Sequence, residues 1–402
     1  MSEFAQWQAS ERDRVEAERR AWVGYEAPRD DEIDSLDGEV AFLEDFALAP
    51  NSKRTMTYPQ KRFQRWLIKE RITPGKGGFT DDQLRRYVAD LSRDDAINRF
   101  SVVKTYMSYG PRYYCQKNML QWRPIKERPR VQEVLTALRR RLKDKQSNQK
   151  QAVTVEMLRK MRAHVDLGNH KDLCIYTAIL VGFFCLLRKA NLGHRTVHEA
   201  QTAARQKATA TTSRRPKEDV GVLTRDAVSR DKEGRICLTL KGTKTIQFGQ
   251  RQLRLYVPKM PPGDPICPAT ILQLYMAVTG DRPAGEALFG YWTDEGGPGK
   301  TQQWKPLTHR VLVKGIKDLI KAIGEDPTKF AGHSLRRGGA TFAFSEAGLH
   351  QITIKALGDW VSDAFLAYCE VQDTLRVAGA QAMALAAQQS RTPGTTSRRP
   401  LM

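Results

Sequence analysis

From residue 57 onward, apolar positions recur at helical spacing. Phe63, Trp66 and Leu67 fall at i, i+3 and i+4, one face of a helix that Pro74-Gly75 ends. Thr80-Asp81-Asp82-Gln83 has the form of a capping box and opens a second helix with Leu84, Tyr87, Val88 and Leu91 inward. The pattern predicts a third helix near 95–109 and a fourth near 131–144, the latter with Val131, Val134, Leu135 and Leu138 on one face. Tyr106, Tyr109, Tyr113 and Tyr114 are interleaved with Lys and Arg, a spacing that suits either a packed core or an aromatic, basic nucleic-acid surface.

The stretch from Lys145 to Gln151 (KQSNQKQ) is polar and unpatterned, as a linker is. Thr154 then caps a helix, and 171–188 reads as a buried helix. Its uncharged core, Leu173 to Leu187, falls short of the ~20 residues that a membrane span needs. Residues 200–219 are small, polar and basic, which predicts a flexible insertion. The period then changes to two, predicting strands at 220–223, 235–240 and 252–257, the last two joined as a hairpin with a long loop that begins Lys241-Gly242-Thr243-Lys244. Helices return near 268–279, 307–323 and 334–347 and over about 363–388, with Gly348 and Gly358 at helix ends.

The expected fold is therefore mainly α with a small β-hairpin sheet (α+β). Its organisation reads as a flexible acidic arm over 1–50 (one short helix around 9–22), a helical domain over 51–144, a linker at 145–152, a second domain over 153–388 carrying the insertion at 200–219, and a disordered tail at 389–402.

Composition narrows the function. Over 402 residues, 40% hydrophobic and 28% charged with 29 Gly and 19 Pro, the chain is excluded from collagen-like, low-complexity and wholly disordered classes. The net charge is +21, but residues 1–50 carry −9 and the remainder +30, and residues 101–150 alone hold 13 bases against 3 acids. That split points to a polyanion, with nucleic acid the leading class; the plainer alternative is a solvated basic face. Six cysteines without CxxC pairs or histidines at zinc spacing imply a reducing compartment, with neither a disulfide framework nor structural zinc. The opening MSEFAQWQAS lacks a basic-then-apolar leader, so a soluble intracellular protein is expected. There is no Walker loop and no acidic cluster spaced for two magnesium ions.

Taken singly, the reactive residues have ordinary readings. Arg188 is a charge at a helix C-terminus, Lys244 a solvated turn lysine, His333 a capping or core histidine, and Tyr368 a packing residue. Their order is more specific. An Arg at a buried helix end is followed by a Lys in a hairpin, by His333 and Arg336 one helical turn apart, by Gly358-Asp359-Trp360, and by Tyr368 eight residues past the Trp. In this order the sequence resembles the tyrosine recombinase (phage integrase) family over roughly residues 55–385. The resemblance is sharpest in GHSLRRGGATFAFSEAGL…IKALGDWVSDAFLAY and looks most like the recombinases of eukaryotic Crypton and DIRS mobile elements.

The resemblance implies a site-specific DNA recombinase that cleaves and rejoins strands through a 3′-phosphotyrosyl intermediate, with no metal, ATP or other cofactor and no small-molecule substrate. Arg188 and Arg336 would neutralise the phosphate oxygens, since each offers a planar fork that keeps its proton. His333 would donate to the same phosphate and shuttle the nucleophile's proton, and Lys244 would protonate the departing 5′ oxygen. Trp360 would take the family's His/Trp position, and Tyr368 would be the nucleophile. Apart from Tyr368, no tyrosine follows residue 291.

Some positions depart from the pattern or compete. Asn191 stands where many members carry an acid, Lys189 and Arg337 neighbour the two arginines, the Trp-to-Tyr gap is one shorter than in some branches, and Lys241 competes with Lys244, although TKTIQFG matches the usual hairpin. The helical domain would be a SAM-like core-binding domain that closes with the catalytic domain into a C-shaped clamp on double-stranded DNA. The basic positions expected to meet DNA are Lys104, Arg112, Lys117, Arg123, Arg139, Arg140 and Arg337. RVAGAQAMALAAQQ resembles a helix donated to a neighbouring subunit in a homotetramer; it reads equally as an amphipathic helix packed on its own body. A nuclear location is expected from the basic runs RQKATATTSRRPK and SRRP. The alternatives are a domesticated, non-cleaving DNA-binding protein and a type IB topoisomerase; no membrane partner is expected.

Overall fold

Phe63 is fully buried in an aromatic cluster, 5.0 Å from Phe79, 4.7 Å from Tyr87 and 5.6 Å from Trp66, ring centroid to ring centroid. The face read from the sequence thus forms a core, in a computed structural model that describes residues 40, 50–142, 150–208, 221–243, 246, 251–293, 302–367 and 380–385. The chain divides into two compact units, residues 1–149 and 150–402. Expectations for the acidic arm before residue 50, most of the linker, residues 209–220 and the tail after 388 lie outside the described residues. Helices predominate, with two small antiparallel sheets. Among the described residues, no helix is long and apolar enough to cross a membrane.

The first unit is helical: α1 (Pro50–Lys69), α2 (Asp81–Ser92), α3 (Phe100–Lys117) and α4 (Pro129–Leu142). Thr80 Oγ1 accepts from the Gln83 amide at 3.2 Å and Gln83 Oε1 from the Thr80 amide at 2.9 Å, so the capping box starts α2 as its residues predict. α3 is displaced from the expected 95–109 and runs on through Pro111. Gly110 faces Phe63 and the Pro59 carbonyl so closely that a Cβ there would meet Phe63 Cβ at 2.8 Å. That packing on α1 offsets the hydrogen bond that proline removes. Two tyrosines of α3 serve the core, Tyr106 being buried and Tyr114 lying 5.6 Å from Phe79, while Tyr109 and Tyr113 are half-buried.

The second unit is built around α6 (His170–Phe184), which is apolar nearly all round and buried from Leu173 to Phe183. α5 (Val155–Arg162), α9 (Pro268–Thr279), α10 (His309–Ala322) and α11 (Ser334–Ser345) pack with it in one core. α7 (Lys189–Leu192) follows α6 directly. α8 (Val197–Ala208) extends into the first part of the 200–219 stretch expected to be a flexible insertion.

The sheet β1 (Val228–Arg230), β2 (Ile236–Leu240) and β3 (Leu253–Tyr256) is antiparallel in that order, with Leu238 opposite both Val228 and Leu255. Over 221–223, the described part of the expected first strand, no strand forms. Leu223 is tied instead to Asn191 and Leu288, and the edge strand starts only after a 3-10 turn at Arg225–Ala227, whose buried Arg225 donates to Thr279 Oγ1 at 2.9 Å. A second hairpin, β4 (Gly290–Thr293) and β5 (Gln303–Pro306), was not apparent from period-two alternation; Arg282 packs over both its Trp292 and Trp304, 5.1 and 4.6 Å from the ring centroids. α12 (Gln351–Gly358) precedes a 3-10 turn, Asp363–Ala367, and residues 380–385 are again helical.

Candidate active site

The site begins with how α6 ends. The helix was expected to reach residue 188, but it stops at Phe184 and Leu186 takes left-handed backbone, φ 49°. This conformation costs a β-carbon residue roughly 1–2 kcal/mol. Burial of the Leu186 side chain with Ala340, Ala343, Ile354, Trp360 and Phe365 offsets that cost. Gly338 and Gly339 let α11 lie against this end: a Cβ on Gly339 would sit 2.1 Å from the Phe183 carbonyl oxygen, and one on Gly338 1.9 Å from that of Val153.

This close approach places Arg336, two and three residues before those glycines, directly on the α6 terminus. Arg336 is 2% exposed and donates through Nη1 to the Leu186 carbonyl and through Nη2 to the Gly358 carbonyl. Its guanidinium carbon lies 3.8 Å from the ring centroid of Trp360, which is 9% exposed. A desolvated cation–π contact of this kind is worth about 2 kcal/mol. Two carbonyls and an indole face therefore hold one guanidinium in a fixed plane.

His333 is the N-cap of α11, one turn from Arg336. Its pKa is lowered, first by the packing around it and then by the cations Lys189, Arg336, Arg188 and Arg337. The stem of Lys189 crosses Gly332, where a Cβ would meet Lys189 Cδ at 2.8 Å, so this lysine belongs to the His333 surroundings. The first turn of α11 holds Arg336 and Arg337 and no acid. Cations there oppose the helix dipole, and the summed positive potential suits a bound anion.

Arg188 is half-buried and is the N-cap of α7, not the last turn of α6, so the reading of a cation at a helix C-terminus is corrected: the left-handed turn at Leu186 redirects the chain. Asn191 has a structural task. Its Oδ1 accepts from the Arg188 amide at 3.1 Å and its Nδ2 donates to the Gly221 carbonyl at 2.8 Å.

Lys244 and Tyr368 lie outside the described residues, but what flanks each is defined. Lys241, the competitor of Lys244, pairs with Asp226 at 3.4 Å on the surface. Thr243 Oγ1 donates to Asp359 Oδ2 at 2.6 Å, and Arg251 Nη2 donates to Asp359 Oδ1. Before Tyr368, Lys355 pairs with Asp363 at 3.0 Å and the fully buried Phe365 packs 6.1 Å from Trp360. Asp359, Thr243 and Arg251 were missed by sequence reasoning, although the Gly-Asp-Trp triplet was in view.

The three basic residues of α3 do not share one face. At about 100° per residue, Lys104 and Arg112 lie roughly 80° apart around α3, whereas Lys117 lies roughly 140° from each. All three are exposed, as are Arg123, Arg139 and Arg140; Arg123 donates to the Glu127 carbonyl, and Arg139 lies over Phe100 at 5.8 Å. Arg337 is half-buried in the second unit. Among the described residues, no three His, Cys, Asp or Glu side chains gather into a metal-binding group.

Fold and geometry together define a mainly helical protein with small antiparallel sheets, in which a buried guanidinium is fixed beside a histidine that four cations surround. No protein family model matches the chain, and no curated protein matches it. Among solved structures, it is similar to the Tn1549 transposon integrase in complex with circular intermediate DNA (13% identity, TM-score 0.44, covering 82% of this chain and 93% of that one). It is also similar to XerA recombinase (12%, TM-score 0.31, 81% and 98%) and to XerH site-specific recombinase bound to palindromic difH substrate (12%, TM-score 0.38, 78% and 91%).

Proposed function

We propose that this chain is a site-specific DNA recombinase of the tyrosine type. The observation that carries the reading is Arg336, a buried guanidinium held by the Leu186 and Gly358 carbonyls and by the Trp360 face, which together with Lys189, Arg188 and Arg337 acts on the neighbouring His333. A phosphodiester under attack gathers negative charge on its non-bridging oxygens, and preorganised cations stabilise that charge without reorganising. The lowered pKa keeps His333 neutral near pH 7, so it can accept a proton as well as donate one.

In the proposed step, the Tyr368 hydroxyl oxygen bonds to phosphorus and its proton passes to His333. The bond from phosphorus to the 5′ oxygen breaks, and that oxygen takes a proton from Lys244. Arg188 and Arg336 hold the non-bridging oxygens. The 3′-phosphotyrosyl link conserves the bond energy, so religation is the reverse attack and needs neither ATP nor a metal ion. On the same reading the DNA is double-stranded, the synapse is a homotetramer completed by a C-terminal helix swap, the element is of the Crypton or DIRS kind, and the site of action is the nucleus.

The test traps the covalent intermediate. Wild type and Tyr368→Phe are incubated in EDTA with nicked suicide duplexes built from the element's terminal sequences, then run on SDS gels. The expected result is a resistant protein–DNA adduct with wild type alone. Binding by both proteins with an adduct from neither supports a non-cleaving DNA-binding protein instead. Relaxation of supercoiled plasmid by monomers supports a type IB topoisomerase.

A further inference from the structure

Asp359 occupies a position that its backbone alone does not explain. It is the C-cap of α12 in left-handed conformation, φ 52° and ψ 50°, which asparagine or glycine would also accept. Its side chain is only 3% exposed, and a buried carboxylate is costly unless it is paired and hydrogen-bonded. The pairing is specific: Oδ2 accepts from Thr243 Oγ1 at 2.6 Å, and Oδ1 accepts from Arg251 Nη2. Those two partners stand near the beginning and the end of the β2–β3 connection, 116 and 108 residues away in sequence. Thr243 also bridges to Ile246, which is 2% exposed. On its other side, Asp359 is bonded to Gly358, whose carbonyl holds Arg336, and to Trp360, which stacks on Arg336.

One carboxylate therefore ties both limbs of the hairpin connection to the turn that fixes the central guanidinium. We infer that Asp359 is a positioning residue: it holds Thr243 and Arg251, at the two ends of the β2–β3 connection, against the Arg336–Trp360 turn, and the proton delivery that the recombinase reading gives to Lys244 depends on that hold. The inference rests on the recombinase reading above and adds to it the element that registers the general acid.

A leaving-group experiment separates this role from a merely structural one. With a 5′-bridging sulfur, the bond from phosphorus to sulfur breaks and the sulfur departs as a thiolate, a weak base that needs no proton. Single-turnover adduct formation is measured for the full chain on otherwise identical oxygen and sulfur suicide duplexes, with DNA affinity measured alongside. Lys244→Ala and Asp359→Asn are both expected to bind DNA within about twofold of wild type, to lose at least about tenfold in rate on the oxygen substrate, and to return to within about threefold of wild type on the sulfur substrate. Thr243→Val should share this pattern and Thr243→Ser should not, which covers the case in which Asp359→Asn folds poorly.

If Lys244→Ala is rescued by sulfur while Asp359→Asn and Thr243→Val stay equally slow on both substrates, the positioning role is overturned and the recombinase reading stands. Wild-type rates for Asp359→Asn and Thr243→Val on the oxygen substrate overturn it as well. If Lys244→Ala is not rescued, the general-acid assignment fails and the inference falls with it.

Discussion

Adding one methyl group at Gly358 pits two effects of opposite sign against each other. Gly358 is the last residue of α12, where Gly→Ala gains about 0.5–1 kcal/mol by restricting the unfolded chain. Against this, a Cβ there would lie 1.6 Å from Cζ3 and 2.0 Å from Cε3 of Trp360. The indole is rigid and 9% exposed, with Phe365 on one side and Arg336 on its face, so it cannot yield without moving the guanidinium. Overpacking of this kind costs up to about 3 kcal/mol, so the clash wins by about 2 kcal/mol. For a unit of this size that lowers Tm by about 4–8 °C.

A ring displaced by about 1 Å also carries Arg336 out of register, which is worth about a hundredfold in rate. Calorimetry of the full chain and single-turnover adduct formation measure the two effects. Gly77→Ala, where a Cβ meets nothing within 4 Å, is the control and should be near neutral in both. An unchanged or raised Tm for Gly358→Ala, or adduct formation within twofold of wild type, would refute the account of how Trp360 fixes Arg336.

Other consequences can be measured directly. In the unfolded chain, His333 takes up a proton near pH 6.5, and in the native protein only at lower pH; within that window the unfolded state binds more protons, so stability falls as pH falls. NMR titration should place the His333 imidazole below 6.5 in the free protein, and a midpoint at or above that value contradicts the cationic field. Arg128 in the first unit is 3% exposed and holds Asp81 at 2.7 Å and the Phe79 carbonyl at 2.9 Å. Arg128→Ala should cost about 3 kcal/mol in chemical denaturation of that unit, and a loss under 1 kcal/mol contradicts a structural role. Lys104→Ala, at an exposed position of α3, should reduce the slope of log affinity against log salt by about one without changing sequence preference; an unchanged slope removes Lys104 from the DNA contacts.

What the sequence determines by itself is whatever lies within a turn or two of helix or one strand pair. The α2 capping box, the inward face of Leu84, Tyr87, Val88 and Leu91, the buried run of α6 and the β2–β3 hairpin all follow from spacings of two to four residues, because those spacings govern which side chains share a face. The order Arg188, His333, Arg336, Trp360 is also legible, as are the residue types that suit a phosphate. Tertiary structure decides the rest. Leu186 turns left-handed because its side chain enters a core shared with Trp360 and Phe365, and α3 passes through Pro111 because Gly110 meets Phe63. The bonds that shape the site join residues far apart: Arg336 to Leu186 across 150 positions, and Asp359 to Thr243 across 116. Local periodicity carries no record of such pairs. Whether an arginine is a solvated charge or a buried guanidinium is decided by which distant carbonyls the folded chain brings to it.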